Sequence, residues 1–466
     1  MRYDARMDAS AHFRGQRITL MGLGLLGRGV GDARYLAECG AELTVTDLKS
    51  REQLAESVAQ LKSFPNITFV LGEHRLEDFQ NRDLILKAAG VPLDSPFIAE
   101  AKKNGIPVRM SADLFAEISG VTCVGVTGTR GKSTVAHMIF AILQTAYELG
   151  LSRGAAGRTG KPVLGGNVRG VSNLALLSEI TPEHIAALEL DSWQLQGFGE
   201  AKMSPHIAVF TTLYQDHLNY YENHPEQYLA DKANIFLYQK PSDTLILGKQ
   251  CAPTVINRHG EQIESKTLVV DETKLPDTWA LKVPGQHNRY NAALALAAVR
   301  EAGVSDETSR GVLESFTGVP GRLEFVAEKS GVKVYNDNNS TTPDATIAGL
   351  RAVGTEGGRK VVLIMGGDEK NLDMSGLIAE IPQWCSKVVL FKERGTDRVR
   401  EEVFALKGEG VEVYEEEGLQ ATVERAFSVA VPGETILYSP AFSSFGTYFK
   451  NEYDRGDQFN AIVQAL

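Results

Sequence analysis

The sequence predicts an α/β protein built as three blocks with mostly parallel sheets. Its 466 residues exceed the roughly 250–300 at which one apolar core stops growing, so two or three domains are expected. Hydrophobic residues make up 43% and charged residues 23%, an ordinary globular balance with enough apolar material for several cores. Short apolar segments alternate with longer helical patterns almost throughout, as in βαβ units.

The first block opens with a strand at residues 17–21, a glycine turn, a helical stretch and a second strand at 42–47, and closes near Met110. The second begins with a strand at 122–126 and runs through a glycine-lysine loop into a helix over 135–143. It continues through strands at 185–190 and 207–212 and ends near Pro320, where Thr317, Gly318, Val319, Pro320 and Gly321 read as a linker. The third carries strands at 333–336, 360–365, 387–391 and 435–438.

A net charge of -11 argues against non-specific nucleic-acid binding, which needs a basic face to release counterions. Anionic ligands must therefore be met by local positive groups. Cys39, Cys123, Cys251 and Cys385 lie far apart with no CxxC pair, which suggests neither a zinc site nor a disulfide framework and fits a reducing compartment. The first sixteen residues are polar and charged, and no run reaches the ~18 apolar residues of a membrane span, so a cytoplasmic protein is expected.

The strongest local signal is Gly128, Thr129, Arg130, Gly131, Lys132, Ser133 and Thr134, directly after a strand and before a helix. Glycines let backbone N–H groups face one concavity, the helix N-terminus adds positive potential, Lys132 reaches terminal phosphates and Ser133 can ligate Mg²⁺. The pattern is a variant of G-x-x-x-x-G-K-[ST], because Val126 stands where its first glycine belongs. Glu189 closes an apolar strand, where a carboxylate suits a second Mg²⁺ contact or a plain edge position. Asp216 and His217 follow the strand at 207–212; the histidine can bind metal or cap a turn. Gly22, Gly24 and Gly27 form a G-x-G-x-x-G after a strand, with Asp47 ending the next strand. That pattern fits a pyrophosphate or ribose, without distinguishing NAD, FAD or another nucleotide diphosphate.

The loop at 128–134, then Leu188-Glu189-Leu190, Asp216-His217, Gly285-Gln286-His287-Asn288 and Ser439-Pro440-Ala441, in this order, resemble the Mur ligases over nearly the whole chain. The resemblance implies a UDP-binding Rossmann-like domain (1–110), a central P-loop ATPase-like domain with a mainly parallel sheet (111–320) and a C-terminal Rossmann-like domain receiving an amino acid (321–466). It implies ATP-dependent ligation of D-glutamate to UDP-N-acetylmuramoyl-L-alanine through an acyl phosphate, in peptidoglycan precursor synthesis, by a cytoplasmic monomer. Two Mg²⁺ ions would be held by Ser133, Glu189, His217 and Lys232, the last as a carbamate that turns a cation into an anion; from sequence alone Lys232 reads as a surface lysine. With the loop residues, Asn288, Asn291, Arg322 and Asp337 resemble ATP contacts. Gly24, Leu25, Leu26, Asp47, Leu48, Lys49 and Asn167 resemble contacts to the UDP substrate, and Lys370, Ser444 and Phe449 contacts to the amino acid.

Four departures bear on substrate choice, one of them a tail between Ser444 and Phe449 that is one residue longer than usual. Where the family usually reads Asp-Ser-Lys-Ala-Thr-Asn this chain has Asp337-Asn338-Asn339-Ser340-Thr341-Thr342, so a lysine is lost; an asparagine cannot neutralise a carboxylate or phosphate, and either another cation compensates or affinity falls. Asp191 replaces a serine after Glu189-Leu190, and Lys87-Ala88-Ala89-Gly90 replaces Ser-Pro-Gly. The alternatives are a ligase of the same fold using another amino acid such as L-glutamate, a folate-extending ligase, a nicotinamide-dependent oxidoreductase, and a non-catalytic nucleotide-binding protein.

Overall fold

A computed structural model describes residues 9–25, 27–151, 160–214, 220–221, 224–354, 358–444 and 446–466. Its first sheet contains β1 (Arg17–Met21), β2 (Glu42–Asp47), β3 (Ile67–Leu71), β4 (Leu84–Lys87) and β5 (Val108–Arg109), in the order β3-β2-β1-β4-β5. The second contains β6 (Thr122–Thr127), β7 (Pro162–Gly166), β8 (Ile185–Glu189), β9 (Ile207–Phe210), β10 (Thr244–Gly248) and β11 (Lys266–Val270), in the order β11-β10-β9-β6-β8-β7. Every pairing in both is parallel. Central strands such as β6 and β8 are apolar runs covered on both faces, which is why they read as continuous rather than alternating patterns.

The third sheet has β12 (Glu324–Lys329), β13 (Val332–Asn336), β14 (Val361–Met365), β15 (Cys385–Phe391), β16 (Glu412–Glu416) and β17 (Thr435–Tyr438), ordered β12-β13-β17-β14-β15-β16. Only β12 with β13 is antiparallel; Ser330 and Gly331 between them both have positive φ, 51° and 76°, as a two-residue hairpin turn requires. The chain steps outward from β14 to β16 and returns with β17 beside β14, so helices cover both faces and the carboxyl ends of β13, β17 and β14 border the crevice where such sheets place ligands.

Two compact units result. Residues 1–277 with 290–312 form the first and contain the first two sheets; residues 278–289 with 313–466 form the second. The alternation of strand and helix patterns thus gives the predicted three sheets. In the first unit one apolar core runs from Ile18 and Leu20 of β1 to Leu188 of β8 and Phe210 of β9. A polar latch joins the two sheets' layers: Asp32, on the helix Arg28–Glu38, accepts hydrogen bonds from Ser172 Oγ (2.6 Å) and Leu174 N (3.3 Å). Gly31 permits this approach, since a Cβ there would lie 2.5 Å from that of Ser172.

Burial raises the Asp32 carboxyl from 3.8 to about 6, against the pull of Ser172, Leu174 and Arg28. The folded protein therefore keeps a proton that the unfolded chain has released, so this group's contribution is full below about pH 4 and declines as pH rises to about 6. Asp32→Asn should remove the decline. From pH 4.5 to 7.5 the variant's thermal midpoint should gain about 2–4 °C on the wild type, or ~1–2 kcal/mol; a constant difference in a thermal-shift series would contradict this.

Candidate active site

In the first unit the carboxyl ends of three neighbouring strands carry the predicted nucleotide site. β6 leads into the loop at residues 128–131, and a helix runs from Lys132 to Glu148 behind Gly131, which takes a left-handed conformation (φ 85°). A Cβ on Gly128 (φ 140°) would lie 2.0 Å from the Oγ1 of Thr211, the residue after β9, so glycine is forced there. Contrary to the reading in which successive loop amides all face one concavity, Thr129 N donates to Thr212 O (2.7 Å) and Arg130 N to Thr212 Oγ1 (2.9 Å). The anion-facing donors are therefore those of the first helical turn, Lys132 to Thr134, whose N–H groups have no intrahelical acceptor. Ser133 is buried in that turn.

Lys132 arches back over the loop, its Nζ 3.0 Å from Gly128 O and 3.3 Å from Thr129 O. Lys232, on the helix Pro225–Ala233, is 1% exposed and not the surface lysine its sequence context suggested. Its Nζ lies 3.1 Å from the same Gly128 O, 3.3 Å from Thr127 Oγ1 and 4.7 Å above the Tyr228 ring. Two ammonium groups thus converge on one carbonyl. Glu189, buried, pairs in register with Val126 of β6 and Gly166 of β7. Its carboxylate and the Ser133 hydroxyl are donor types that a hard, oxygen-preferring cation takes. His217 and Leu26 lie outside the described residues.

Asn167 follows β7; its N–H donates to Glu189 O (2.7 Å) and its Oδ1 accepts from Arg28 Nη1. Arg28 was missed in the sequence, although it immediately follows Gly27 at the start of a helix. Around the first glycine turn, Asp47 accepts from Gly24 N (3.0 Å) and Lys49 N (2.9 Å), leaving only its remaining lone pairs for a ribose. Leu25 and Leu48 stand exposed on either side. Asn291 abuts the phosphate loop: a Cβ on Gly131 would lie 2.5 Å from its Oδ1. Asp191, one of the departures, caps the helix Ser192–Glu200 by accepting from Gln194 N (2.7 Å). Lys87 is buried, with its Nζ on Val91 O (2.9 Å); burial lowers it to about 8, opposed by Asp191, Asp113 and Asp231.

The second unit holds the remaining candidates. Asn288 donates to Pro284 O (2.7 Å). Asp337, at the end of β13, is buried and accepts from Leu323 N (3.0 Å), Ser340 Oγ (2.6 Å) and Ser439 Oγ (2.9 Å), while burial lifts its carboxyl to about 6. Arg322 is exposed nearby and opposes that rise. Lys370 Nζ donates to Thr341 Oγ1 (2.9 Å) and Thr341 O (3.2 Å), two residues beyond Asn339. A cation therefore does stand beside the segment that lost its lysine. Ser444 and Phe449 are both buried, Phe449 against Phe391 with centroids 5.7 Å apart.

Residues 16–110 match the Mur ligase MurD-like N-terminal domain, 126–275 the Mur ligase middle domain and 321–442 the Mur ligase glutamate ligase domain. A protein of Roseiflexus sp. (strain RS-1) named UDP-N-acetylmuramoylalanine--D-glutamate ligase is 33% identical, over 97% of this chain and 99% of its own. Proteins of the same name from Borreliella burgdorferi (32%; 96% and 97%) and Geobacillus kaustophilus (32%; 99% and 100%) match almost as fully. Among solved structures, UDP-N-acetylmuramate-alanine ligase from Thermotoga maritima superposes with a TM-score of 0.59 at 18% identity, covering 97% of this chain and 99% of that one, which establishes the shared fold. No helix among the described residues is long and apolar enough to cross a membrane. With three domain matches in order and relatives above 30% identity along nearly the full length, the chain belongs to the Mur ligase family.

Proposed function

We propose that this protein joins D-glutamate to UDP-N-acetylmuramoyl-L-alanine at the expense of ATP, in the cytoplasm, as a step of peptidoglycan precursor synthesis. The observation that carries the ATP-dependent chemistry is the convergence of Lys132 and Lys232 on Gly128 O beside Glu189 at the carboxyl ends of β6 and β8. The choice of substrates rests on the names of relatives that match end to end. The blocks 1–110, 111–320 and 321–466 would take the UDP substrate, ATP and the amino acid respectively.

In the first step a carboxylate oxygen of the muramoyl-alanine attacks the γ-phosphorus of ATP, and the bond to ADP breaks. Both partners are anionic, so Lys132 and the first-turn amides of its helix neutralise the equatorial oxygens of the transferring group. Bound Mg²⁺ supplies further charge compensation to the phosphates. Two like charges on one carbonyl repel each other; loss of a proton from the Lys232 ammonium, then addition of CO₂ to the neutral amine with loss of a second proton, would remove that repulsion and give a carbamate oxygen that could hold Mg²⁺ with Glu189, Ser133 and His217. In the second step the free amine of the amino acid attacks the acyl carbon, phosphate leaves with the acyl C–O electrons and the nitrogen loses a proton, giving the amide. Lys370 and the segment carrying Ser444 and Phe449 hold the amino acid's carboxylates. On the first substrate, Arg28 and Asn167 hold the diphosphate region between the glycine turn and β7.

Phosphate release tests the reading directly. With UDP-N-acetylmuramoyl-L-alanine and ATP present, D-glutamate is expected to stimulate release at least about tenfold over L-glutamate, glycine or no amino acid. Stimulation by a different amino acid alone would overturn the substrate while leaving the ligase. No release with any amino acid would overturn both.

A further inference from the structure

Within the second unit, the segment carrying Ser444 and Phe449 is held from several sides. Ser443 exchanges backbone hydrogen bonds with Asp368 (3.0 and 3.1 Å), and Arg455, fully buried, donates to Phe442 O (3.3 Å) and Ser443 O (3.1 Å). Phe391, the last residue of β15, packs edge-on against Tyr448 (centroids 5.2 Å apart) and beneath Phe449. Between these anchors Glu393 reaches residues 446 and 447: its Oε1 accepts the Thr447 N–H at 2.7 Å. A Cβ on Gly446 would fall 1.7 Å from that same oxygen, so glycine and carboxylate are fitted to each other.

Glu393 occupies the N-cap position of the helix Arg394–Ala405, yet its side chain makes no capping bond there. It turns to the loop instead. The side chain is 8% exposed, and its Oε2 has no hydrogen-bond partner among the described residues. A buried carboxyl with one oxygen unmatched is a poor stabiliser, and burial raises its proton affinity accordingly. A cavity of about 440 Å³ borders Gly446 and Thr447, lined mainly by charged side chains, among them Asp368, Lys392, Glu393, Arg394 and Asp397, with Tyr448 at its aromatic side.

We infer that Glu393 is a positioning residue for the second substrate, fixing the backbone at residues 446 and 447 so that Ser444 and Phe449 present a preformed amino-acid site. This rests on the assignment of Ser444 and Phe449 to amino-acid binding. Losing the carboxylate leaves the Thr447 amide and the loop's underside unsupported, so binding of the amino acid must order the loop as well as make its own contacts.

The test uses the full-length enzyme and three variants. Glu393→Ala should raise KM for the stimulating amino acid at least about tenfold while KM for ATP and for the UDP substrate stay within about twofold. Glu393→Gln, which keeps an acceptor oxygen, should restore it to within about threefold. Gly446→Ala, pressing on the same oxygen from the loop side, should copy the alanine variant and serves in its place if that fails to fold. An unchanged KM for the amino acid, or equal rises for all three substrates, overturns the proposal. Should no amino acid stimulate the wild type, the functional assignment fails on its own. Amide exchange at 446–449 then still decides the loop contact: at least about tenfold faster exchange in Glu393→Ala but not Glu393→Gln sustains it, and unchanged exchange refutes it.

Discussion

Replacing Lys132 by alanine is expected to lower amino-acid-dependent phosphate release on the order of a thousand-fold or more. Its ammonium stands over the loop, 3.0 Å from Gly128 O, where the terminal phosphates of ATP would be presented by the helix N-terminus behind Gly131. During transfer the negative charge of an attacking carboxylate adds to that of the phosphoryl oxygens, and a fixed cation in a water-poor site is worth several kcal/mol against it. The loss should fall mainly on kcat, because the interaction strengthens as charge develops. The fold should survive: the loop's shape is set by Thr129 and Arg130 bonding to Thr212, bonds the substitution leaves in place, so the thermal midpoint should move by no more than about 2 °C. Steady-state kinetics of Lys132→Ala and Lys132→Arg check this; a variant retaining a tenth of wild-type turnover would remove Lys132 from the chemistry.

The second large effect is expected at Lys232. Lys232→Ala should reduce turnover on the order of a hundred- to a thousand-fold if, as proposed, a Lys232 carbamate supplies an oxygen ligand worth several kcal/mol of charge compensation at the phosphates. A buried ammonium that served only to hold Gly128 O would behave differently: its loss would act on stability and loop order, and added CO₂ would have no effect. Wild-type activity should therefore fall in buffer stripped of CO₂ and return on addition of bicarbonate, and intact-mass measurement under mild conditions should show about 44 Da, the mass of CO₂, added to the wild-type chain and not to Lys232→Ala. Activity indifferent to CO₂ would leave Lys232 as an ordinary buried cation.

Where sequence and structure agree, the chemistry is local. The glycine-lysine loop was legible because glycines between a buried strand and a helix leave few other conformations, and the place of Glu189 at the buried end of β8 because its strand is an apolar run. β1, β2 and β17 fall where the apolar runs placed them. The hairpin of β12 and β13 carried its own signal in Ser330-Gly331, and β13 was read from its alternation, but β12, at the sheet edge, alternates burial weakly and was not.

What the sequence by itself determined, then, is three parallel-type sheets, a phosphate loop and a ligase-like order of motifs. Only the tertiary structure decided the rest. Lys232 is buried because its helix packs on the helix Ser192–Glu200 and its side chain reaches Thr127 and Gly128 at the end of β6, a contact made across more than a hundred residues of chain. Asp47 is occupied by the amides of Gly24 and Lys49, Lys370 comes to stand beside Asn339's segment, and Glu393 turns from its helix cap to a distant loop. Each outcome depends on which buried polar group finds which partner once the layers close. Periodicity reports the face a residue presents, not the distant atom waiting there.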